Sequence, residues 1–143
     1  MLIVVGARPN FIKIAPLCRV LSHQAGLPFK IVHTGQHYDR LMSDVFFQDL
    51  EIPEPDFYLN IGSGPHGQQT GKMMIELEAL CQEHAFSSIV VIGDVNSTLA
   101  GALVGAKLRI PVVHIESGLR SFNRDMPEEI NRIATDHISE VLF

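Results

Sequence analysis

A doubly wound α/β domain built on a mainly parallel sheet is the fold class that this sequence predicts. Three observations carry the prediction. Short runs rich in Val and Ile, at Leu2 to Val5, Lys30 to His33, Ile89 to Ile92 and Val112 to Ile115, alternate with longer stretches of helical period. Such alternation requires crossover helices between parallel strands. Polar and charged residues follow each apolar run at once, where an open parallel sheet binds its ligands. The 143 residues are 46% apolar and 19% charged. That balance predicts one packed domain over residues 1-143 and excludes disorder.

The elements follow in order. Leu2 to Val5 reads as a buried strand, because no basic lead precedes it as in a signal peptide. Pro9 suits the first turn of the next helix, whose apolar face is Ile14, Leu17, Cys18 and Leu21; Pro16 inside it predicts a kink. After the second strand, the Pro- and Gly-rich stretch from Glu51 to Gly67 reads as a loop with a short strand at Phe57 to Leu59. A second helix presents Met73, Met74, Leu77, Leu80 and Cys81. A third presents Leu99, Ala102, Leu103 and Ala106, with Ser97 as its expected cap. A last helix starts near Pro127, with Asp125 and Glu128 spaced as a capping box. Val141 to Phe143 ends the chain on an apolar run without a polar tail, which predicts a stop inside or just after a strand of a longer protein.

Composition removes several classes of function. A formal net charge of -5 argues against nucleic acid as partner. No apolar run approaches the ~20 residues of a membrane span, so a cytoplasmic location is expected. Cys18 and Cys81 sit on helix faces and read as buried thiols. Gly62 to Gly67 matches a dinucleotide fingerprint by letters, but Pro65 interrupts it and it is not the first strand-to-helix turn. His33 and His37 straddle a strand end, and no zinc spacing accompanies them. No metal is expected.

The residues after each strand carry the chemistry. Arg8 and Lys13 flank a helix N-terminus, where dipole and cations together suit a diphosphate. Asp94 follows Gly93 and is expected to face the cleft. His114 and Glu116 are two apart on a strand and are expected on the same side, at the rim. Glu128 and Arg132 are spaced for an ordinary helix salt bridge.

Five segments in register then resemble one family. Gly6-Ala-Arg-Pro-Asn-Phe-Ile-Lys13, Gly35-Gln36-His37, Gly93-Asp94, His114-Ile-Glu116-Ser-Gly-Leu-Arg120-Ser and Pro127-Glu128-Glu129-Ile-Asn131-Arg132 resemble the UDP-N-acetylglucosamine 2-epimerases of the non-hydrolysing type. The likeness covers essentially all 143 residues. It implies the Rossmann-like N-terminal half of a glycosyltransferase-B-like two-domain fold, with the C-terminal nucleotide-binding domain outside this chain. It implies an isomerase without cofactor, a UDP-sugar partner, a homodimeric full-length protein and a role in cell-surface polysaccharide synthesis. Asp94, Glu116 and Glu128 match the family's catalytic carboxylates. Arg8 and Lys13 match positions near the diphosphate, and Asn10, His37, Arg120 and Arg132 are expected at the substrate.

The implied reaction eliminates UDP to a 2-acetamidoglucal and adds it back with C2 inverted. Two departures bear on specificity: Ala7 and Asn10 stand where the family's first motif has Thr and Glu. Tyr38 to Met42 lacks the glutamines by which some members hold a regulatory sugar nucleotide. An epimerase for another UDP-2-acetamido sugar, a hydrolysing 2-epimerase and a glycosyltransferase of the same architecture are the alternatives, and a non-catalytic ligand-binding module is the one outside catalysis. Alone, the 143 residues are expected to be inactive, since uridine is held chiefly by the second domain.

Overall fold

The structure is a computed structural model that describes residues 1–23, 27–35, 47 and 50–143. Strands β1 (Leu2–Val5), β2 (Lys30–His33), β3 (Phe57–Tyr58), β4 (Ile89–Ile92), β5 (Val112–Ile115) and β6 (Val141–Leu142) form one sheet. Its order is β3-β2-β1-β4-β5-β6, and every pairing is parallel. Helices α1 (Arg8–His23), α2 (His66–Glu83), α3 (Asn96–Leu108) and α4 (Pro127–Ile138) join β1 to β2, β3 to β4, β4 to β5 and β5 to β6. This is the doubly wound, Rossmann-like arrangement expected, and all four principal strands have their expected bounds.

Strand direction decides where function can lie. The order reverses between β1 and β4, so the loops leaving these two strands diverge and open a crevice at their carboxyl ends. Each crossover helix runs back against its strand, so the N-termini of α1, α3 and α4 all stand at that same edge. Register aligns the edge closely: Val5 lies beside His33, and Ile92 beside Ile115.

Two apolar cores hold the sheet. Ile3, Val5, Ile31, Val90 and Ile92 pack with Phe11, Ile14, Cys18 and Leu21 of α1. Leu2, Val4, Val32, Ile89, Val91 and Val112 pack on the other face with Met73 and Leu77 of α2 and Ala100 and Val104 of α3. β1 and β4 are buried throughout, and each fully buried Val, Leu or Ile contributes roughly 1.5–3 kcal/mol. That is why these runs are continuous rather than alternating.

Several details depart from expectation. The buried stripe of α3 is Ala100, Gly101, Ala102, Val104 and Gly105; Leu99 and Leu103 are half-buried and Ala106 is exposed. Small residues win because the helix lies close on the sheet. A Cβ at Gly101 would meet Val91 Cγ1 at 2.9 Å, and one at Gly105 would meet Val112 Cγ2 at 2.5 Å. Ser97 is inside α3, not its cap; Val95 is the N-cap and makes no side-chain bond. The Asp125–Glu128 capping box is likewise absent. Met126 caps α4 and Pro127 follows as the first helical residue, while Asp125 N–H turns to Asn123 Oδ1 at 3.0 Å. Pro16 lies inside α1, as its position in the apolar repeat implied. β3 stops at Tyr58, although Leu59 N–H still reaches His33 O at 2.9 Å.

Candidate functional site

The edge is built from β1 outward. Gly6 and Ala7 turn the chain into α1, and Asn10 braces that turn. Its Oδ1 accepts hydrogen bonds from Gly6 N–H at 3.2 Å and Ala7 N–H at 3.0 Å, and its Nδ2 donates to Ile92 O at 3.0 Å. Asn10 is buried, and its amide ties β1 to β4 across the switch point. A glutamate here could accept the first two bonds but would set a carboxylate against the Ile92 carbonyl. Arg8 opens α1 and is exposed at the crevice.

Lys13, one turn on, donates to Glu116 Oε2. Both side chains keep about a third of their surface in solvent, 36% and 34%. A Cβ on Gly93 would lie 3.2 Å from Glu116 Oε2 and 3.6 Å from both Lys13 Nζ and Asn10 Nδ2. Gly93 is therefore the floor of a small charged recess. Glu116 has a left-handed backbone, φ 67°, a conformation of order 1–3 kcal/mol above the ordinary ones for a non-glycine residue. This turn overturns the expectation that His114 and Glu116 share a side. Strand alternation ends at Ile115, and Glu116 swings to Lys13 of α1 while His114 bonds to α4.

Asp94 follows Gly93. Its Oδ2 accepts from Arg132 Nε at 2.9 Å and Nη2 at 2.5 Å, and its backbone carbonyl accepts from Asn131 Nδ2 at 2.8 Å. Arg132 also donates from Nη1 to Glu129 Oε2 at 2.9 Å. It thus spans Asp94 and Glu129, and the helix pair that the Glu128–Arg132 spacing allows does not form. Glu128 stands half-buried in the first turn of α4, which opens on the same edge. Arg120 is bound to Asp136 Oδ2 at 2.7 Å. His37 lies outside the described residues.

Glu129 was not singled out by sequence, yet it organises the loop behind the site. It is almost fully buried, and its carboxylate accepts from Ser121 N–H at 2.9 Å, Ser121 Oγ at 3.0 Å and Phe122 N–H at 3.1 Å besides Arg132. The Ser121 N–H bond foremost, with Arg132, Ser121 Oγ and Phe122 N–H, outweighs desolvation and brings the carboxyl from 4.5 down to about 2. A signal existed in the sequence: Glu129, Arg132 and Asp136 recur at i, i+3 and i+7, a polar stripe on the buried face of a helix. Because the folded value is depressed, ionised Glu129 stabilises the fold fully above its unfolded range. That contribution is lost as pH falls from about 5 toward 2. Glu129→Gln should therefore flatten the acid limb of stability against pH, read by urea unfolding at stepped pH. Parallel curves for the two proteins would remove this role.

His33, at the end of β2, stacks on Phe11 at 5.3 Å and Tyr58 at 5.8 Å. Burial lowers its pKa, and its Nδ1 accepts the Gly35 N–H at 2.8 Å. It is thus a neutral ring that shapes the turn after β2. Among the described residues no group of three or more His, Cys, Asp or Glu could hold a metal ion. No helix among them is long and apolar enough to cross a membrane. The edge therefore offers two carboxylates at adjacent strand ends, each held by one cation, beside helix N-termini that favour anions.

Comparison with known proteins agrees with this geometry. A family model described as UDP-N-acetylglucosamine 2-epimerase matches residues 19–143. The chain is 52% identical over 141 residues to UDP-N-acetylglucosamine 2-epimerase of Methanocaldococcus jannaschii, covering 99% of this chain and 38% of that protein. It is also 52% identical over 143 residues to UDP-2,3-diacetamido-2,3-dideoxy-D-glucuronate 2-epimerase of Pseudomonas aeruginosa, covering 100% of this chain and 40% of that protein. The crystal structure of the M. jannaschii enzyme with UDP-GlcNAc and UDP superposes with a TM-score of 0.95 at 52% identity, over 99% of this chain and 39% of that one. The Neisseria meningitidis UDP-GlcNAc 2-epimerase bound to UDP-GlcNAc does so with 0.92 at 34% identity, over 99% and 38%. The chain thus spans about two-fifths of the length of these relatives, 38% to 40%.

Proposed function

The chain belongs to the UDP-N-acetylglucosamine 2-epimerase family, and from that premise we propose that it forms the N-terminal domain of an enzyme inverting C2 of a UDP-2-acetamido sugar. UDP-N-acetylglucosamine, going to UDP-N-acetylmannosamine, is the first candidate substrate. Relatives of equal identity are named for that sugar nucleotide and for a diacetamido glucuronate, so the class rests on firmer ground than the member. Uridine is held chiefly by a second domain. The reading fits a full-length homodimer.

One observation carries the proposal: Glu116 and Asp94 stand at the ends of neighbouring strands, each against a cation that can be drawn away by a diphosphate or fixed beside it. The C2 proton is weakly acidic until the C1–O bond to UDP begins to break and positive charge grows at C1. Carboxylates beside the ring stabilise that charge. In the structure Lys13 neutralises Glu116. A diphosphate carries more charge and competes for the same ammonium. As Lys13 turns to the leaving UDP, with Arg8 beside it, Glu116 loses its cation and its carboxylate is free to meet the C2 proton.

Glu116 then takes the C2 proton, the C1–O pair leaves with UDP, and a C1=C2 double bond forms. UDP adds back at C1 while an acid on the opposite face delivers a proton to C2. Glu128, at the N-terminus of α4, is assigned to that face. Asp94, paired with Arg132, supports the cationic ring.

In D2O, the full-length protein should place one deuterium at C2 of the product while the sugar stays on UDP, with traces of the glycal and free UDP. Product that keeps protium at C2 would rule out this route. Free N-acetylmannosamine as the main product would replace it with hydrolysis.

A further inference from the structure

Behind the two carboxylates lies a buried ion pair that the reaction does not touch. His114 is fully buried on β5. Its Nδ1 faces Asp136 Oδ1 of α4 at 2.6 Å and its Nε2 faces the carbonyl oxygen of Gly93 at 2.8 Å. A carbonyl can only accept. Asp136 is itself an acceptor on every side, taking Gly118 N–H at 3.0 Å and Arg120 Nη1 at 2.7 Å on its other oxygen. A ring with hydrogen on both nitrogens would satisfy both contacts at once. Desolvation, the largest influence on Asp136, raises its pKa. The bonds from Arg120, Gly118 N–H and His114 together outweigh it and hold the carboxyl below its ordinary value.

The partners of this pair bracket the site. The Gly93 peptide is gripped twice from β5: its N–H donates to Ile115 O at 3.0 Å, and its carbonyl accepts from His114. That carbonyl belongs to the peptide leading into Asp94. On the other side, Asp136 holds His114 two residues before Glu116 and Gly118 and Arg120 two and four residues after it. One carboxylate thus closes a loop around the left-handed Glu116. No group of the ion pair is on the open rim.

We infer that His114 and Asp136 are positioning residues, whose buried pairing sets Asp94 and Glu116 at the distance the C2 chemistry requires. The inference rests on the epimerase reading of the site. Two measurements on the full-length protein test it. In protein labelled with 15N-histidine, the His114 ring, identified by its loss in His114→Gln, should show hydrogen on both nitrogens at neutral pH. A neutral ring with a single N–H would overturn the pairing.

The second measurement is kinetic. Asp136→Asn keeps the shape but removes the charge, and should lower kcat per folded molecule on the order of 10²-fold. KM and UDP affinity should stay within about threefold, and Asp136→Glu should recover part of the loss. Unchanged kcat, or a loss seen only in KM, would overturn the inference. Should the unmodified enzyme show no C2 exchange in D2O, the epimerase reading fails instead, and the imidazolium measurement still judges the ion pair alone.

Discussion

Glu116→Gln in the full-length protein should cut the rate of C2 proton exchange by roughly 10²–10⁴-fold, the usual worth of a positioned general base. UDP affinity should hold or rise, because Lys13 no longer has a carboxylate competing with the diphosphate. The substitution is nearly isosteric, and its amide oxygen can still accept from Lys13, so the fold around Gly93 should survive. An exchange rate within about threefold of the original would take Glu116 out of the proton transfer. It would leave Asp94 as the remaining base at the end of these strands.

The second large effect concerns stability and comes from a residue with no chemistry. A Cβ on Gly6 would lie 2.8 Å from both Ser97 Cβ and Thr34 Oγ1. Ser97 opens α3 and Thr34 ends the β2 edge; both are buried and packed against the β1 turn. Neither is the loose end of a long side chain, so the added methyl must push helix or strand. Gly6→Ala should cost about 2–3 kcal/mol, in the range of other overpacked cores, and lower Tm by roughly 6–10 °C. Circular dichroism melting reads the result. An unchanged Tm would mean that β1 and α3 are not held as close as the geometry places them. The first turn of α3 approaches the β1 turn where Gly6 carries no side chain.

Much of the fold was legible in local sequence because its signals are local. A strand buried on both faces is written as an unbroken Val/Ile run, and β1, β2, β4 and β5 have the bounds those runs imply. The charged positions at the crevice edge were legible for the same reason, since a parallel sheet turns its loops to that edge. Arg8, Asp94 and Glu116 each follow a strand end closely, and Lys13 lies further along α1. Where sequence misled, a neighbour from elsewhere in the fold had intervened. The face of α3 was read on its large residues, but contact with Val91 and Val112 selects its small ones. Ser97 was read as the cap of α3, but the helix starts one residue earlier and takes Ser97 into its first turn.

The sequence alone determined the order of strands and helices and the edge on which charge gathers, because periodicity and strand direction are properties of short windows. The tertiary structure alone decided which charge meets which. Lys13 pairs with Glu116 across 103 positions, and Arg132 passes over Glu128 for Asp94, 38 positions back. It also decided that Glu116 leaves the strand left-handed and that Glu129 is buried. Charge pairing follows distance and desolvation in the folded chain, and neither quantity is present in any local stretch of residues.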